Sequence, residues 1–217
     1  MPTPTKSSSV ARRERYSLCD LLIEVGPEAP TLCAGWTARD LAAHLVIRES
    51  RPDAGLGLVI SALSGWTERV QAAAAQQPWT SLVSAVRAGP PRWSPAAIPA
   101  VDAAMNTVEY FVHHEDVRRG VADWQPRELD DSAVAELWNR VGPMSKLLTR
   151  LSPVGVVITP TDGPGLGQVR RLRSGPSDVT LAGPVSEIVL ALFGRVTQGL
   201  EYLGTDADIA AFRSYPR

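Results

Sequence analysis

Ala103-Ala-Met-Asn106-Thr-Val-Glu109-Tyr-Phe-Val-His113-His114-Glu-Asp116 carries two stripes at one helical spacing. Val101, Met105, Val108 and Val112 form an apolar stripe, and Asp102, Asn106, Glu109, His113 and Asp116 form a polar one beside it. Residues three and four apart share one face of an α-helix. Tyr110, Phe111, Ala103 and Ala104 fill most of the remaining circumference. The middle of the helix is therefore apolar nearly all round, which is the pattern of a buried helix. A carboxylate there is costly unless something pairs with it. The stretch predicts a buried helix with a polar seam, as found inside a helical bundle.

The flanking sequence reads the same way. Ser9 can cap a helix through Val10, Tyr16, Leu18, Leu21, Leu22 and Val25, which Gly26-Pro27 stops. After a loop from Glu28 to Trp36, Thr37-Ala38-Arg39-Asp40 matches the Ser/Thr-x-x-acid capping pattern. The helix it starts runs from Leu41 to about Ser50, and Pro52 ends it. Further helices are predicted over much of Ala54 to Ala75, over Thr80 to Ala88, from Ile98 to Arg119 and from Asp131 to Leu151. Helices joined by short Pro/Gly loops indicate a bundle. At Ser152-Pro153 the character changes. Gly155 to Pro160, Gln168 to Leu172, Val179 to Ala182 and Gly199 to Gly204 read as strands. Pro184 opens a helix through Ile188, Leu192 and Phe193, and Asp206 to Ser214 forms a closing one. Gly163-Pro-Gly165-Leu-Gly167 is read as a hairpin turn, since no helix follows it as a phosphate loop requires. The fold class is α+β. A helical bundle with a four-helix core is expected over residues 1–150, and a small α/β domain over 151–217.

Composition narrows the function classes. The 217 residues carry 22 basic and 23 acidic side chains and a formal net charge of -1. Without a long basic run, no nucleic-acid partner is expected. The uncharged stretch Ala54 to Thr67 is too short to span a bilayer, and the residues before Arg12 contain no apolar segment of a secretory signal. A soluble, cytoplasmic protein with no membrane partner is expected. Cys19 and Cys33 make neither a disulfide framework nor a metal site alone, and each is read as a small buried side chain. Of the basic residues only Lys6 and Lys146 are Lys. That Arg bias, with abundant Ala, Gly and Pro, is what a GC-rich genome writes.

The chemistry lies in the seam. Glu109 and His113 stand about 40° apart around the helix axis at ~100° per residue, so both reach one point. His114 is roughly 140° from Glu109 and points elsewhere. The remaining histidine, His44, lies between Leu41 and Leu45 on the core-facing side of the capped helix. Two imidazoles and a carboxylate from two helices make a divalent-metal site, with zinc favoured and open positions left for water or a substrate atom. Asp40, one turn before His44, and Asp116, on the same face as His113, are the residues expected to orient those ligands from behind. The bland alternative is a buried Glu-His hydrogen bond with His44 satisfied separately.

Trp36-Thr-Ala-Arg-Asp40-Leu-Ala-Ala-His44, together with Glu109-Tyr-Phe-Val-His113-His-Glu-Asp116, resembles the mycothiol-dependent maleylpyruvate isomerase family of the DinB-like metalloprotein superfamily. Its hallmark is Trp-[Ser/Thr]-x-x-[Asp/Glu]-[Leu/Val]-x-x-His, followed two helices later by Glu-x-x-x-His-x-x-Asp. Leu190-Ala-Leu-Phe-Gly-Arg195 is similar to the Gly-Arg segment of the family's C-terminal domain, which resembles sterol carrier proteins. The resemblance implies a divalent metal, usually zinc, on His44, Glu109 and His113. It also implies a low-molecular-weight thiol cofactor such as mycothiol, whose thiolate adds to an electrophilic substrate. Mycothiol is an actinobacterial thiol, which agrees with the GC-rich composition. Arg195 is the further catalytic candidate, offering its fork of donors to a carboxylate. Equally, an Arg just after a helix end meets that helix's negative terminus. His114-Glu-Asp-Val-Arg-Arg departs from the isomerase pattern, so its substrate is not carried over.

The expected function is thus a metal-dependent enzyme of thiol transfer or thiol-assisted isomerisation. Two alternatives stand beside it: a hydrolase using metal-activated water, and a non-catalytic protein that binds a metal or a small ligand.

Overall fold

The computed structural model describes residues 9–50, 64–94 and 97–216. The chain divides into two compact units, Met1–Gln125 and Pro126–Arg217. Among the described residues there are eight α-helices and one four-stranded sheet, a mixed α+β fold as expected.

The first unit is helical. Helix α1 spans Val10–Val25, and the Ser9 hydroxyl caps it by accepting from the Arg12 amide at 3.3 Å. Helix α2 spans Ala38–Ser50, α3 Ser64–Ala75, α4 Trp79–Ala88 and α5 Pro99–Arg118. The start of the helix expected from Ala54 lies outside the described residues. Helix α1 packs along α5 and against α4, while α2 packs against α3 and α4. Leu18, Leu22, Leu41, Leu45, Leu82 and Tyr110 are fully or almost fully buried in the core between them.

On α5 most of the polar stripe is buried, along with Val108 and Val112 of the apolar one. Asp102, Asn106, His113 and Asp116 are all buried, whereas Met105 of the apolar stripe is 52% exposed. Tyr110, Phe111 and Val112 are buried too, so the middle of the helix is enclosed nearly all round. That enclosure makes the partners of the polar seam decisive.

The second unit begins with helix α6, Asp131–Leu148, and continues through β1 Gly155–Pro160, β2 Arg170–Arg173 and β3 Asp178–Gly183. Helix α7, Val185–Leu192, strand β4, Glu201–Leu203, and helix α8, Asp206–Ser214, complete it. The sheet order is β2-β1-β3-β4; β1 and β3 are parallel, and each outer strand is antiparallel to its neighbour. The apolar residues Ile188, Val189, Leu190 and Leu192 of α7 are buried.

The boundary expected near residue 150 falls instead at 125/126, because α6 belongs with the sheet. Its Trp138 lies under the Arg170 guanidinium, 3.9 Å from the ring centroid. The turn after β1 closes on the same ring: a Cβ on Gly165 would stand 2.6 Å from it. Tyr215 at the chain's end donates to the Leu148 carbonyl at 3.1 Å. The Gly163–Gly165 segment is one turn of 3₁₀ helix joining two antiparallel strands, a hairpin connection as read from sequence. No helix among the described residues is long and apolar enough to cross a membrane.

Candidate metal centre

The capped start of α2 sets the position of His44. Thr37 is the N-cap: Asp40 Oδ2 accepts from the Thr37 amide at 2.9 Å and from its hydroxyl at 2.8 Å, and the Asp40 amide donates back to Thr37 Oγ1 at 3.4 Å. This reciprocal arrangement is the capping box anticipated from sequence. It also commits the Asp40 carboxylate to Thr37, so Asp40 orients the helix start rather than the imidazole. The Trp36 ring lies 5.1 Å from the His44 ring and packs it from outside.

The three ligands expected from sequence meet. His44 Nε2 and His113 Nε2 each lie 3.3 Å from Glu109 Oε1, and the two rings meet edge-on with centroids 5.3 Å apart. All three donor atoms lie within 4.8 Å of one another. Donors held at about 2.0–2.1 Å around a tetrahedral zinc stand roughly 3.3–3.4 Å apart, so the two His–Glu spacings fit a shared ion. Their side chains keep 13%, 20% and 11% of their surface exposed; the cluster is walled in without being sealed.

Behind His113 the ring is fixed through its other nitrogen. His113 Nδ1 lies 2.9 Å from Asp116 Oδ2, and Asp116 is completely buried. A carboxylate at Nδ1 keeps a proton there and fixes the ring with Nε2 turned toward Glu109. His114 turns to α1, where its Nδ1 lies 2.9 Å from Glu14 Oε2. Glu115 is paired to Arg118 and Arg119, so the segment that departs from the isomerase pattern closes the end of α5.

Two residues that the sequence reading did not place here belong to the site. Arg48, one turn after His44 on α2, puts Nε 3.1 Å from Glu109 Oε1, donates from Nη2 to the Met105 carbonyl at 3.0 Å, and donates from Nη1 to Asn106 Oδ1. Its i, i+4 spacing from His44 was the available signal. Cys33 is half-buried at the edge of the core: its Sγ donates to Asp116 Oδ2 at 3.1 Å and lies 3.9 Å from His113 Nδ1. Cys19 is a core residue, and burial pushes its thiol up to about 12.

The electrostatics follow from these contacts. Burial alone would raise the Glu109 carboxyl, but hydrogen bonds from His113 and His44 and the charge of Arg48 hold it well below the usual carboxylate range. Burial would lower His113; contacts with Asp116, Cys33 and Glu109 outweigh it and push the imidazole well above its ordinary value. Each half of the pair thus favours a charge that the other balances.

Arg195 lies in the second unit, just past the end of α7. Its amide donates to the Leu190 carbonyl at 2.9 Å and its Nη1 to the Phe193 carbonyl at 3.1 Å. It also lines a cavity of about 370 Å³ with Thr197, Tyr202 and Arg213.

A helical bundle carrying a two-histidine, one-carboxylate cluster, followed by a small sheet unit, defines the class of fold. At the level of sequence no protein-family profile matches the chain, and no curated protein matches it either. Among solved structures, the chain shares its fold with the mycothiol-dependent maleylpyruvate isomerase. That crystal structure matches with a TM-score of 0.59 over 89% of this chain and 90% of that one, at 17% identity. A variant of the same enzyme with one histidine replaced by alanine matches at a TM-score of 0.60 and 18% identity over the same shares.

Proposed function

We propose that this chain is a divalent-metal-dependent enzyme, with zinc the ion its donor set suits, that uses a low-molecular-weight thiol such as mycothiol against an electrophilic small molecule. What carries this reading is the convergence of His44 Nε2, Glu109 Oε1 and His113 Nε2 in a fold shared with a mycothiol-dependent isomerase. A divalent ion held there supplies the positive charge that keeps a thiol as its thiolate, the form that attacks. The two histidines and Glu109 hold the ion, Asp116 orients His113, and Arg48 anchors the Glu109 oxygen from α2. Such a thiol would add across an activated double bond of the substrate, its sulfur to the electrophilic carbon and its proton to the neighbouring one as the π bond breaks. Its later elimination releases an isomer, and its retention gives a conjugate. Arg195, with Arg213 in the same cavity, is the residue we assign to a carboxylate of substrate or thiol.

The test begins with elemental analysis of the purified chain after dialysis. Zinc should be present in the wild type and in His114→Ala, and His44→Ala and Glu109→Ala should each hold about one ion per chain fewer. A wild-type zinc content in both of the latter overturns the site. The zinc-loaded chain should then bind mycothiol in a thiol titration and consume it with an electrophile. Failure to bind the thiol, alongside turnover of an ester, overturns the thiol chemistry.

A further inference from the structure

His113 has a second nitrogen, and a second set of donors faces it. Cys33 Sγ, Asp116 Oδ2 and His113 Nδ1 lie within 4.8 Å of one another, with spacings of 3.1 Å for sulfur to carboxylate, 2.9 Å for carboxylate to nitrogen and 3.9 Å for sulfur to nitrogen. Around one tetrahedral ion with a zinc–sulfur distance of about 2.3 Å and zinc–nitrogen or zinc–oxygen distances of about 2.0–2.1 Å, donors stand roughly 3.3–3.6 Å apart. The triangle closes on such an ion with shifts of a few tenths of an ångström. Cys33 contacts Nδ1, on the opposite side of the imidazole from the Nε2 that faces Glu109, so it cannot serve the first cluster. Its thiol belongs to a different centre.

The loop that carries Cys33 is bolted to α5 at this point. The Cys33 amide donates to Thr31 Oγ1 at 3.1 Å, and the Thr31 hydroxyl donates to the Trp36 carbonyl at 2.9 Å. Leu32 N donates to the Asp116 carbonyl at 3.0 Å. One turn on, Gly120 lets the loop approach: a Cβ there would stand 2.2 Å from the Pro30 carbonyl oxygen. The sulfur, the carboxylate and the ring are therefore held together by backbone contacts independent of any bond among the three side chains. That is the rigid support an ion site needs.

We propose that Cys33, Asp116 and Nδ1 of His113 form a second divalent-ion site, back to back with the first and sharing its imidazole. A thiolate with one nitrogen and one carboxylate suits a borderline ion of the zinc, cobalt or cadmium class and disfavours magnesium and calcium. Binding sends the Cys33 thiol proton and the His113 Nδ1 proton to solvent. When both sets are filled, His113 bridges two ions as an imidazolate.

The full chain, stripped of metal with a chelator, is titrated with cobalt(II) and read by near-ultraviolet absorption and elemental analysis. The wild type should take up roughly two ions per chain and show a sulfur-to-cobalt charge-transfer band. Cys33→Ser and Cys33→Ala should melt with the wild type, take up roughly one ion and lack the band. His44→Ala should lose the ion of the first set and keep the band, even if the thiol chemistry proposed above proves wrong. Absence of the band from the wild type, its survival in the Cys33 variants, or its loss in His44→Ala each overturns the second site.

Discussion

At the N-terminal end of the polar seam on α5, Asp102 and Asn106 meet arginine. One to three turns further on, Glu109, His113 and Asp116 meet imidazole and a thiol. The first half is closed. Arg15 Nη2 donates to Glu49 Oε1 at 2.5 Å and to Asp102 Oδ1 at 2.9 Å, and Asn106 Nδ2 donates to the same two oxygens at 3.0 and 2.7 Å. Arg15 also sits 4.7 Å from the centroid of the Tyr110 ring. Burial raises the Glu49 carboxyl while Arg15 opposes the rise. One fixed guanidinium charge, that of Arg15, is shared by two carboxylates there. In the second half the carboxylates share titratable, coordinating partners, and the arginine that reaches Glu109, Arg48, is shared with Asn106. An imidazole can exchange a proton for a divalent ion, which a guanidinium cannot. One helix face thus carries a structural network and a ligand set side by side, and partner chemistry separates them.

The largest expected effect breaks the structural half alone. Arg15→Ala leaves Glu49 and Asp102 buried without their cation and should cost about 3–5 kcal/mol of stability. Denaturant unfolding measures it, and zinc content of the folded fraction should stay at the wild-type level. A variant as stable as the wild type, or one that folds and loses zinc, would erase the distinction between the two halves.

Asp116→Asn probes the other half more gently. Its carboxylate fixes the His113 tautomer through Nδ1, and such supporting carboxylates are worth about 10–100-fold in metal affinity. Competition with a chromophoric zinc chelator should show a weakening in that range. Unchanged affinity would mean that Asp116 is a passive part of the core.

These contrasts were partly legible in the residues alone. The helices announced themselves through a 3.6-residue period and through caps such as Thr37-x-x-Asp40, because both are local. His44, Glu109 and His113 could be grouped because Glu109 and His113 share a helix face and His44 was the remaining core-facing imidazole. What escaped was long-range. Cys33 reaches Asp116 across 83 positions, through a loop whose path no periodicity records. The unit boundary was misplaced because α6 is amphipathic like the helices before it. Its partner face, set by Trp138 beneath Gly165 and Arg170, shows only once the sheet has formed. Met105 is the exception in the apolar stripe: it is exposed while Val108 and Val112 are buried, because the partners brought from α1 and α2 gather on the polar seam. The arginines of β2 also divide: Arg171 pairs with the exposed Asp178, while Arg170 covers Trp138.

The smallest effect, and the one that separates metal-free from metal-bound chain, is in pH. His113 is pushed well above its ordinary value, because its contacts with Asp116, Cys33 and Glu109 outweigh burial. In the metal-free chain its raised value contributes stability that is complete below the unfolded imidazole's value of about 6.5 and is lost as pH rises through the folded value. An ion needs the Nε2 lone pair, so protons compete with it over that same window. Glu109, held well below the carboxylate range, stays ionised and does not enter the competition near neutrality. Zinc affinity should therefore keep rising with pH beyond the ordinary imidazole range, by up to about tenfold per unit for a single competing proton. The melting temperature gained on adding zinc should widen across the same interval, since the metal-free baseline falls while binding tightens. Arg15 stays charged throughout, so the structural half of the seam supplies no such dependence. A zinc-induced gain that is flat or narrowing from pH 6.5 upward would show that His113 is not the group the ion displaces a proton from.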